Sequence, residues 1–160
     1  MTCLTRYRRL FGRNTPSASH LRLMASTTIP IQIRFADLDM AHHVHNAVYL
    51  HWFELARMAL LRSFIPQGHD WKKQGLILAR NEVDYRVPVH LHDLVETECW
   101  CSSVGTKSFD LSYAVRRVNS DRPAVCTEGR SVMVCFDYAE GRSMDIPGDW
   151  RKALGSLRSA

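Results

Sequence analysis

The stretch that decides the fold is residues 34–57, which read RFADLDMAHHVHNAVYLHWFELAR. Its first part, 37–46, is polar and rich in histidine, and this composition predicts a loop. From 47 to about 64, apolar residues recur mostly at steps of three and four, which predicts a helix with a broad apolar face. Asn46 is a favourable N-cap residue, and Pro-Gln-Gly at 66–68 ends the helix. The predicted apolar face comprises Leu50, Phe53, Ala56, Leu60, Leu61 and Phe64.

On both sides of this stretch the apolar residues repeat with a period of two, which predicts β-strands. Ile31, Ile33 and Phe35 alternate with polar residues before the loop. Later strands are predicted at 82–89, with Pro88 at an edge or strand end, at 95–101, at about 109–118 and at 124–137, with a turn at 119–121. One long helix followed by several strands indicates the α+β class, with the helix packed on an antiparallel sheet.

Two further groupings follow from the same alternation. In the strand predicted at 95–101, one face is formed by Val95, Thr97, Cys99 and Cys101. In the strand predicted at 124–137, one face is formed by Val132, Val134 and Phe136. Asp149 is expected to cap a short closing helix that contains Trp150 and Leu154.

The charge is concentrated at the start of the 160-residue chain, whose length suits one domain. Residues 1–28 contain no acid and five of the 21 Lys and Arg residues, so 29–160 carry 16 basic and 16 acidic residues. A charge-balanced body argues against a nucleic-acid-binding domain. We therefore expect a basic, flexible N-terminal extension at 1–28 and one domain at 29–160. The extension has the composition of a transit peptide; alternatively, it is a leader upstream of a translation start at Met24.

The cysteine pattern and the hydropathy exclude further classes. No run of 18 apolar residues occurs, so no membrane span is expected. The cysteines are odd in number and contain no Cys-x-x-Cys pair, which argues against a disulfide framework and a zinc ribbon. They are Cys3, Cys99, Cys101, Cys126 and Cys135. A reducing compartment follows, and we expect a cytoplasmic protein, or an organellar one if 1–28 is a transit peptide.

The loop before the helix has the composition of a reaction centre. Helix N-terminal N–H groups are unpaired and bind a developing oxyanion, and an upstream carboxylate can activate water or attack a carbonyl. Taken alone, Asp37 and Asp39 are typical turn residues. The loop histidines lack the i,i+4 spacing of a helical zinc motif, so no metal is expected. Glu54 and Arg57 are expected to form a surface ion pair.

Four segments in and after the loop resemble those of a known family. They are Phe-Ala-Asp-Leu-Asp at 35–39, His-Val-His-Asn at 43–46, Tyr-Leu at 49–50 and Phe-Glu-x-Ala-Arg at 53–57. Together they resemble the hot-dog-fold acyl-CoA thioesterases, above all the 4-hydroxybenzoyl-CoA thioesterase-like group. The resemblance extends over about residues 30–150, with softer similarity at 84–88, 107–109, 132–137 and 146–147.

The resemblance implies a hot-dog fold, in which a long central helix packs on a curved antiparallel sheet, and a homodimer or homotetramer with the active site at the subunit interface. It implies an acyl-CoA substrate, no cofactor, and Asp39 as base or nucleophile. The backbone amide at Asn46 would polarise the thioester carbonyl, and His43 would contribute. Tyr49 and Ser108 are expected to bind substrate, and Arg86 and Lys107 to meet the CoA phosphates.

Departures from the related plant acyl-ACP thioesterases favour CoA over ACP as the carrier. The chain has His45 and Ala41 where those enzymes have asparagines. Glu54 stays a second candidate carboxylate, because another branch of the fold uses a helix glutamate. The alternatives are an acyl-ACP thioesterase, a hot-dog dehydratase, which the absence of a His-Phe-Pro signature disfavours, and a non-catalytic acyl-CoA-binding module.

Overall fold

The structure, a computed structural model, describes residues 26–119 and 124–157. The predicted extension up to residue 25 and part of the predicted turn at 119–121 lie outside these ranges. Within them the elements are β1 (Ser26–Ile31), a one-turn 3₁₀ helix (Phe35–Asp37), α1 (Val48–Arg62), β2 (Gly75–Tyr85), β3 (Val95–Val104), β4 (Ser108–Arg117), β5 (Ala124–Asp137), β6 (Arg142–Ser143) and α2 (Gly148–Ser156).

The strands form one antiparallel sheet in the order β1-β3-β4-β5-β2, and β6 pairs with the end of β5. The long helix α1 packs on one face of this sheet, so the predicted α+β, hot-dog architecture is confirmed. The strands predicted at 95–101, at about 109–118 and at 124–137 correspond to β3, β4 and β5 and are confirmed to within a few residues. Because β1 and β2 are the two ends of the strand order, each has one long edge without a strand partner in the described chain.

Helix α1 is held against the sheet by buried apolar side chains. They are Tyr49, Trp52, Phe53, Ala56, Leu60 and Leu61. Leu50 was expected on this face but is 37% exposed, because the buried face turns toward Tyr49 and Trp52. The Phe53 ring stacks on Tyr113, with centroids 4.4 Å apart. It also covers Gly129, where a Cβ would collide with the ring, so the centre of the sheet admits the helix only with glycine there.

The first strand differs from the prediction. The alternation at 31–35 predicted a strand, but β1 ends at Ile31 and Phe35 begins the 3₁₀ turn with 81% of its surface exposed. Residues 26–28 pair with β3 and so belong to the sheet, although the predicted boundary placed them in the extension. As an edge strand with a partly exposed Ser-Thr-Thr start, β1 lacks the apolar pattern of a core strand.

The strand predicted at 82–89 is also misplaced, since β2 begins at Gly75 and ends at Tyr85. The first half of β2 shows no strict alternation of apolar and polar residues, because β2 is an edge strand with a register shift between Leu78 and Arg80. After Tyr85 the pairing becomes irregular, and the N–H groups of Arg86 and Val87 both donate to the Cys126 carbonyl.

Two helix caps differ from the expected ones. The N-cap of α1 is Ala47 rather than Asn46, whose Oδ1 accepts a hydrogen bond from the adjacent Ala47 N–H at 3.0 Å instead of from the first turn. Pro147 is the N-cap of α2, and Asp149 lies in its first turn, while Trp150 and Leu154 are buried as expected. No described helix has the length and apolar character needed to cross a membrane.

Candidate active site

The loop between β1 and α1 is held at its start by a buried carboxylate. Asp37 is 2% exposed, and its Oδ2 accepts a hydrogen bond from the Arg34 N–H at 2.8 Å while Oδ1 accepts one from Arg34 Nη2 at 2.7 Å. Burial raises the pKa of Asp37, but the hydrogen bonds and charge of Arg34 outweigh it, so the pKa lies below its usual range. The Asp37 carbonyl also accepts the His45 N–H, which fixes the end of the loop against its start.

Asp39, two residues later, is exposed and shapes a tight turn. Its Oδ1 accepts the N–H groups of Ala41 at 2.8 Å and His43 at 3.2 Å, and its own N–H donates to the His43 carbonyl at 2.8 Å. His42 closes this turn with a φ of 60°. Since both backbone donors use Oδ1, the carboxylate is oriented and Oδ2 is the oxygen left for a ligand.

The chain entering α1 offers an N–H group as well. Among the backbone hydrogen bonds of the described residues, none uses the N–H of Asn46. The Asn46 carbonyl, in the next peptide, accepts a hydrogen bond from Tyr85 Oη at 2.8 Å, which ties this residue to the end of β2. This N–H lies one residue before the N-cap, near the positive end of the helix dipole, and is suited to a carbonyl oxygen that gains negative charge.

These groups open on one cleft of about 510 Å³. It is lined by Asp39, His43, Val44, His45, Asn46, Tyr49, Tyr85, Arg86, Val87 and Pro88. The buried Tyr49 ring lies 5.3 Å from the Tyr85 ring and forms the wall on the helix side. Burial raises the pKa of Tyr49 to about 12, so this wall is uncharged at neutral pH. The predicted site residues Asp39, His43 and Asn46 are therefore brought together.

Two histidines meet beside the cleft. The half-buried His43 ring contacts the His90 ring edge-on, with centroids 4.9 Å apart. The backbone N–H of His90 donates to Asp93 Oδ2 at 2.9 Å, which helps to fix the position of His90. Within 26–119 and 124–157, no three His, Cys, Asp or Glu side chains are grouped so as to hold a metal ion. His90 was not identified from the sequence, because it lies between strands and outside any recognised motif.

Of the predicted substrate-binding residues, Tyr49 and Arg86 line the cleft. Arg86 also pairs with Glu128, at 2.6 Å. Lys107 and Ser108 lie at the other end of the sheet, because β4 begins at Ser108 and reaches the site end only at Arg117, about 30 Å away. One chain alone therefore does not bring Lys107 and Ser108 to the cleft. Tyr85 was missed as a site residue, although it lies in the Asp-Tyr-Arg-x-Pro stretch at 84–88.

The second candidate carboxylate lies apart from these groups. Glu54 is exposed on α1 and is not among the residues that line the cleft. The expected ion pair with Arg57 is wrong: no Glu54–Arg57 pair occurs in the described chain, and Arg57 Nη1 instead donates to Tyr113 Oη at 3.4 Å. The helix turns this arginine toward the sheet, away from the solvated surface where such pairs form.

Comparisons with known proteins agree with this geometry. The sequence model of the thioesterase-like superfamily matches residues 33–154. The acyl-CoA thioester hydrolase YbgC of Escherichia coli O6:H1 is 24% identical over 120 residues, which are 74% of this chain and 87% of that protein. A predicted thioesterase from Bacillus stearothermophilus has a TM-score of 0.75 at 26% identity, covering 84% of this chain and 97% of that one. A thioesterase from Thermus thermophilus, complexed with coenzyme A and Zn, has a TM-score of 0.70 at 29% identity, covering 82% and 92%.

Proposed function

Because the chain belongs to the thioesterase-like superfamily, we propose that it hydrolyses acyl-CoA thioesters to the free acid and coenzyme A. The observation that carries this proposal is the opening of the Asp39 carboxylate and the unused Asn46 N–H on one cleft. Two relatives add support, since YbgC is named an acyl-CoA thioester hydrolase and the Thermus thioesterase is complexed with coenzyme A.

The Asn46 N–H is proposed to receive the thioester carbonyl oxygen. As a nucleophile adds to the carbonyl carbon, this oxygen becomes negative, and a fixed N–H donor at the helix start stabilises it. One such donor typically contributes about 10²–10³ in rate. Tyr85 Oη donates to the Asn46 carbonyl, in the peptide that follows this N–H, and so helps to hold Asn46 in place while the charge develops.

Asp39 is proposed to act on the nucleophile. Its Oδ2 takes a proton from a water whose oxygen forms the new C–O bond, or attacks the carbonyl carbon itself to give an anhydride that water then cleaves. The C–S bond breaks and the sulfur leaves as the thiolate of coenzyme A, which needs no strong general acid because thiols are acidic, with a pKa of about 8.5 for the cysteine side chain. His43, held by its backbone contact with Asp39 and its ring contact with His90, is proposed to orient the reacting groups.

The substrate contacts divide by chemistry. Tyr49 offers an uncharged surface to the acyl group, and Arg86 offers a cation to a CoA phosphate at the cleft, in competition with Glu128. Lys107 and Ser108 can reach a CoA bound at this cleft only from a second copy of the chain, because their own cleft is about 30 Å distant along β4. Their proposed roles therefore depend on oligomerisation.

We propose a homodimer, alone or paired into a tetramer, with the cleft at the subunit interface. The long edge of β2 that faces away from β5 has no strand partner within the described ranges, and side chains along β2 such as Leu78 and Tyr85 are 41% and 50% exposed. An exposed strand edge with apolar side chains is a pairing surface. Light scattering after size exclusion is expected to give two or four chain masses, and a monomer would contradict the proposal.

The test of the activity is a panel of acyl-CoA esters with detection of the released thiol. Asp39→Asn is expected to lower kcat/KM by about 10³-fold or more, since it removes the base or nucleophile. Asp70→Asn is a matched control, because Asp70 Oδ1 accepts the N–H two residues on at 3.0 Å, as Asp39 does, but far from the cleft. Binding without turnover would identify a non-catalytic module, turnover of acyl-ACP alone would identify the other carrier, and a fully active Asp39→Asn would overturn the role of Asp39.

A further inference from the structure

Arg57 differs from most other described arginines in having no acidic partner. Six arginines pair with carboxylates, namely Arg34, Arg80, Arg86, Arg116, Arg117 and Arg130. Arg57 is a half-buried residue of α1, and within the described chain its guanidinium donates to Tyr113 Oη at 3.4 Å and pairs with no carboxylate. A partly desolvated charge of this kind is costly unless a ligand or partner completes it.

Arg57 belongs to a group of four residues that we name the far-end cluster, comprising Arg57, Tyr113, Ser131 and Asn81. The Tyr113 hydroxyl lies beside Ser131, and Ser131 Oγ donates to Asn81 Oδ1 at 2.6 Å. The bonds can run in one direction, from Arg57 through both hydroxyls to the Asn81 carbonyl oxygen. The groups left over are then all donors, namely the other guanidinium N–H groups and the Asn81 NH₂.

The far-end cluster lies at a defined distance from the catalytic cleft. Along α1, Asn46 and Arg57 are eleven residues apart, about 16 Å, and the arginine side chain leans back toward the helix N-terminus. Along β2, Tyr85, Val83 and Asn81 share one face, and four residues of strand span about 13 Å. Val83 packs against the core and Asn81 is exposed, and both α1 and β2 run from residues of the cleft to residues of the far-end cluster.

We propose that the far-end cluster is a subsite for an oxygen acceptor at the distal end of the acyl group, with a carboxylate bound most tightly. This inference rests on the proposed thioesterase function and names its substrate class. A guanidinium presents two parallel N–H groups to a carboxylate, and Asn81 adds a third donor. At about 1.3 Å per carbon of an extended chain, the 13 Å span corresponds to an acyl group of about ten carbons with an oxygen at its end.

The test compares three CoA thioesters of equal length: decanoyl-CoA, its ω-hydroxy derivative and its ω-carboxy derivative. In the wild-type enzyme kcat/KM is expected to be about 10- to 100-fold higher for the ω-carboxy ester than for decanoyl-CoA, the range of a hydrogen bond to a charged group. The ω-hydroxy ester is expected to fall between them. Arg57→Met is expected to reduce this preference to about 1, and Asn81→Ala to reduce it less.

Arg62→Met is the matched control, because Arg62 lies on the same helix five residues on and outside the far-end cluster; it is expected to keep the wild-type preference. A purely structural role of Arg57 would lower kcat/KM for all three esters in parallel, and an unchanged ratio overturns the subsite. A wild-type preference for decanoyl-CoA also overturns it, while the thioesterase function stands. Hydrolysis of none of the esters, at any chain length, overturns the function itself. If Arg57→Met does not fold, Arg57→Lys is expected to show an intermediate preference, because lysine keeps the positive charge but lacks the two parallel N–H donors of the guanidinium.

Discussion

Two halves of the loop before α1 place aspartates in opposite environments. In the first half, Asp37 is 2% exposed and Arg34 binds both of its oxygens. In the second half, Asp39 is exposed, and its backbone hydrogen bonds use Oδ1 alone. The first half holds the start of the loop in place, and the second half presents a carboxylate to the cleft. The same residue type thus stabilises the fold at one position and offers an open oxygen for chemistry two residues later.

Substitution of the two aspartates separates these roles. Asp39→Asn carries the largest expected effect, which is a loss of rate without a loss of stability. Asp37→Ala is instead expected to lower the free energy of unfolding by about 2 kcal/mol, the range for a lost cap and a charged hydrogen bond. Thermal and urea unfolding measure this free energy. Asp84→Ala, at an exposed aspartate on β2, is the control and is expected to stay within about 0.5 kcal/mol of wild type. An Asp37→Ala protein as stable as wild type would remove the distinction between the halves.

Tyr85→Phe sharpens the comparison on the reacting side. Loss of the hydrogen bond to the Asn46 carbonyl is expected to lower kcat about tenfold with little change in KM, because the bond holds the residue that carries the proposed oxyanion donor. Tyr138→Phe is a close control, since Tyr138 is similarly exposed and its hydroxyl donates to the Leu76 carbonyl at 3.1 Å, away from the cleft. An equal loss in both variants would show that Tyr85 acts on the fold and not on the donor.

Acid pH tests the buried half with the smallest expected effect. The pKa of Asp37 lies below its unfolded value of about 3.9. Its carboxylate therefore stabilises the protein fully above about pH 4, and this contribution is lost as the pH falls through the folded pKa. The difference in melting temperature between wild type and Asp37→Asn is expected to be largest near pH 6 and to narrow below about pH 4. A difference that widens in acid would contradict the ionised pair.

The parts that were predictable from the sequence are local or fully buried. Asp39, His43 and Asn46 lie within eight consecutive residues, so the loop that joins β1 to α1 brings them together whatever the rest of the sheet does. In the same way β3 was predicted because Val95, Thr97, Cys99 and Cys101 are all buried on one face, which gives a strict period of two. Core burial leaves a pattern that a single sequence displays.

The parts that were missed depend on pairing between distant segments. The first half of β2 is an edge with a register shift, and β1 is an edge with a polar start, so neither has a strict alternation. Tyr85 reaches the cleft, and His90 reaches the His43 ring, only through the pairing of β2 with β5 and the packing of the segment after it. The positions of Lys107 and Ser108 followed the resemblance, but strand direction puts them at the opposite end of the sheet.

The contact between Phe53 and Gly129 couples the residue types that are allowed at two positions 76 residues apart in the sequence. A larger residue at 129 is tolerable only if the ring at 53 is lost at the same time, so among relatives with this helix placement the two positions are expected to change together. Such a paired change would also shift the helix along the sheet, and with it the separation between the Asn46 end and the Arg57 end. Under the proposed subsite, variation at this pair would then alter the length of acyl group that is preferred.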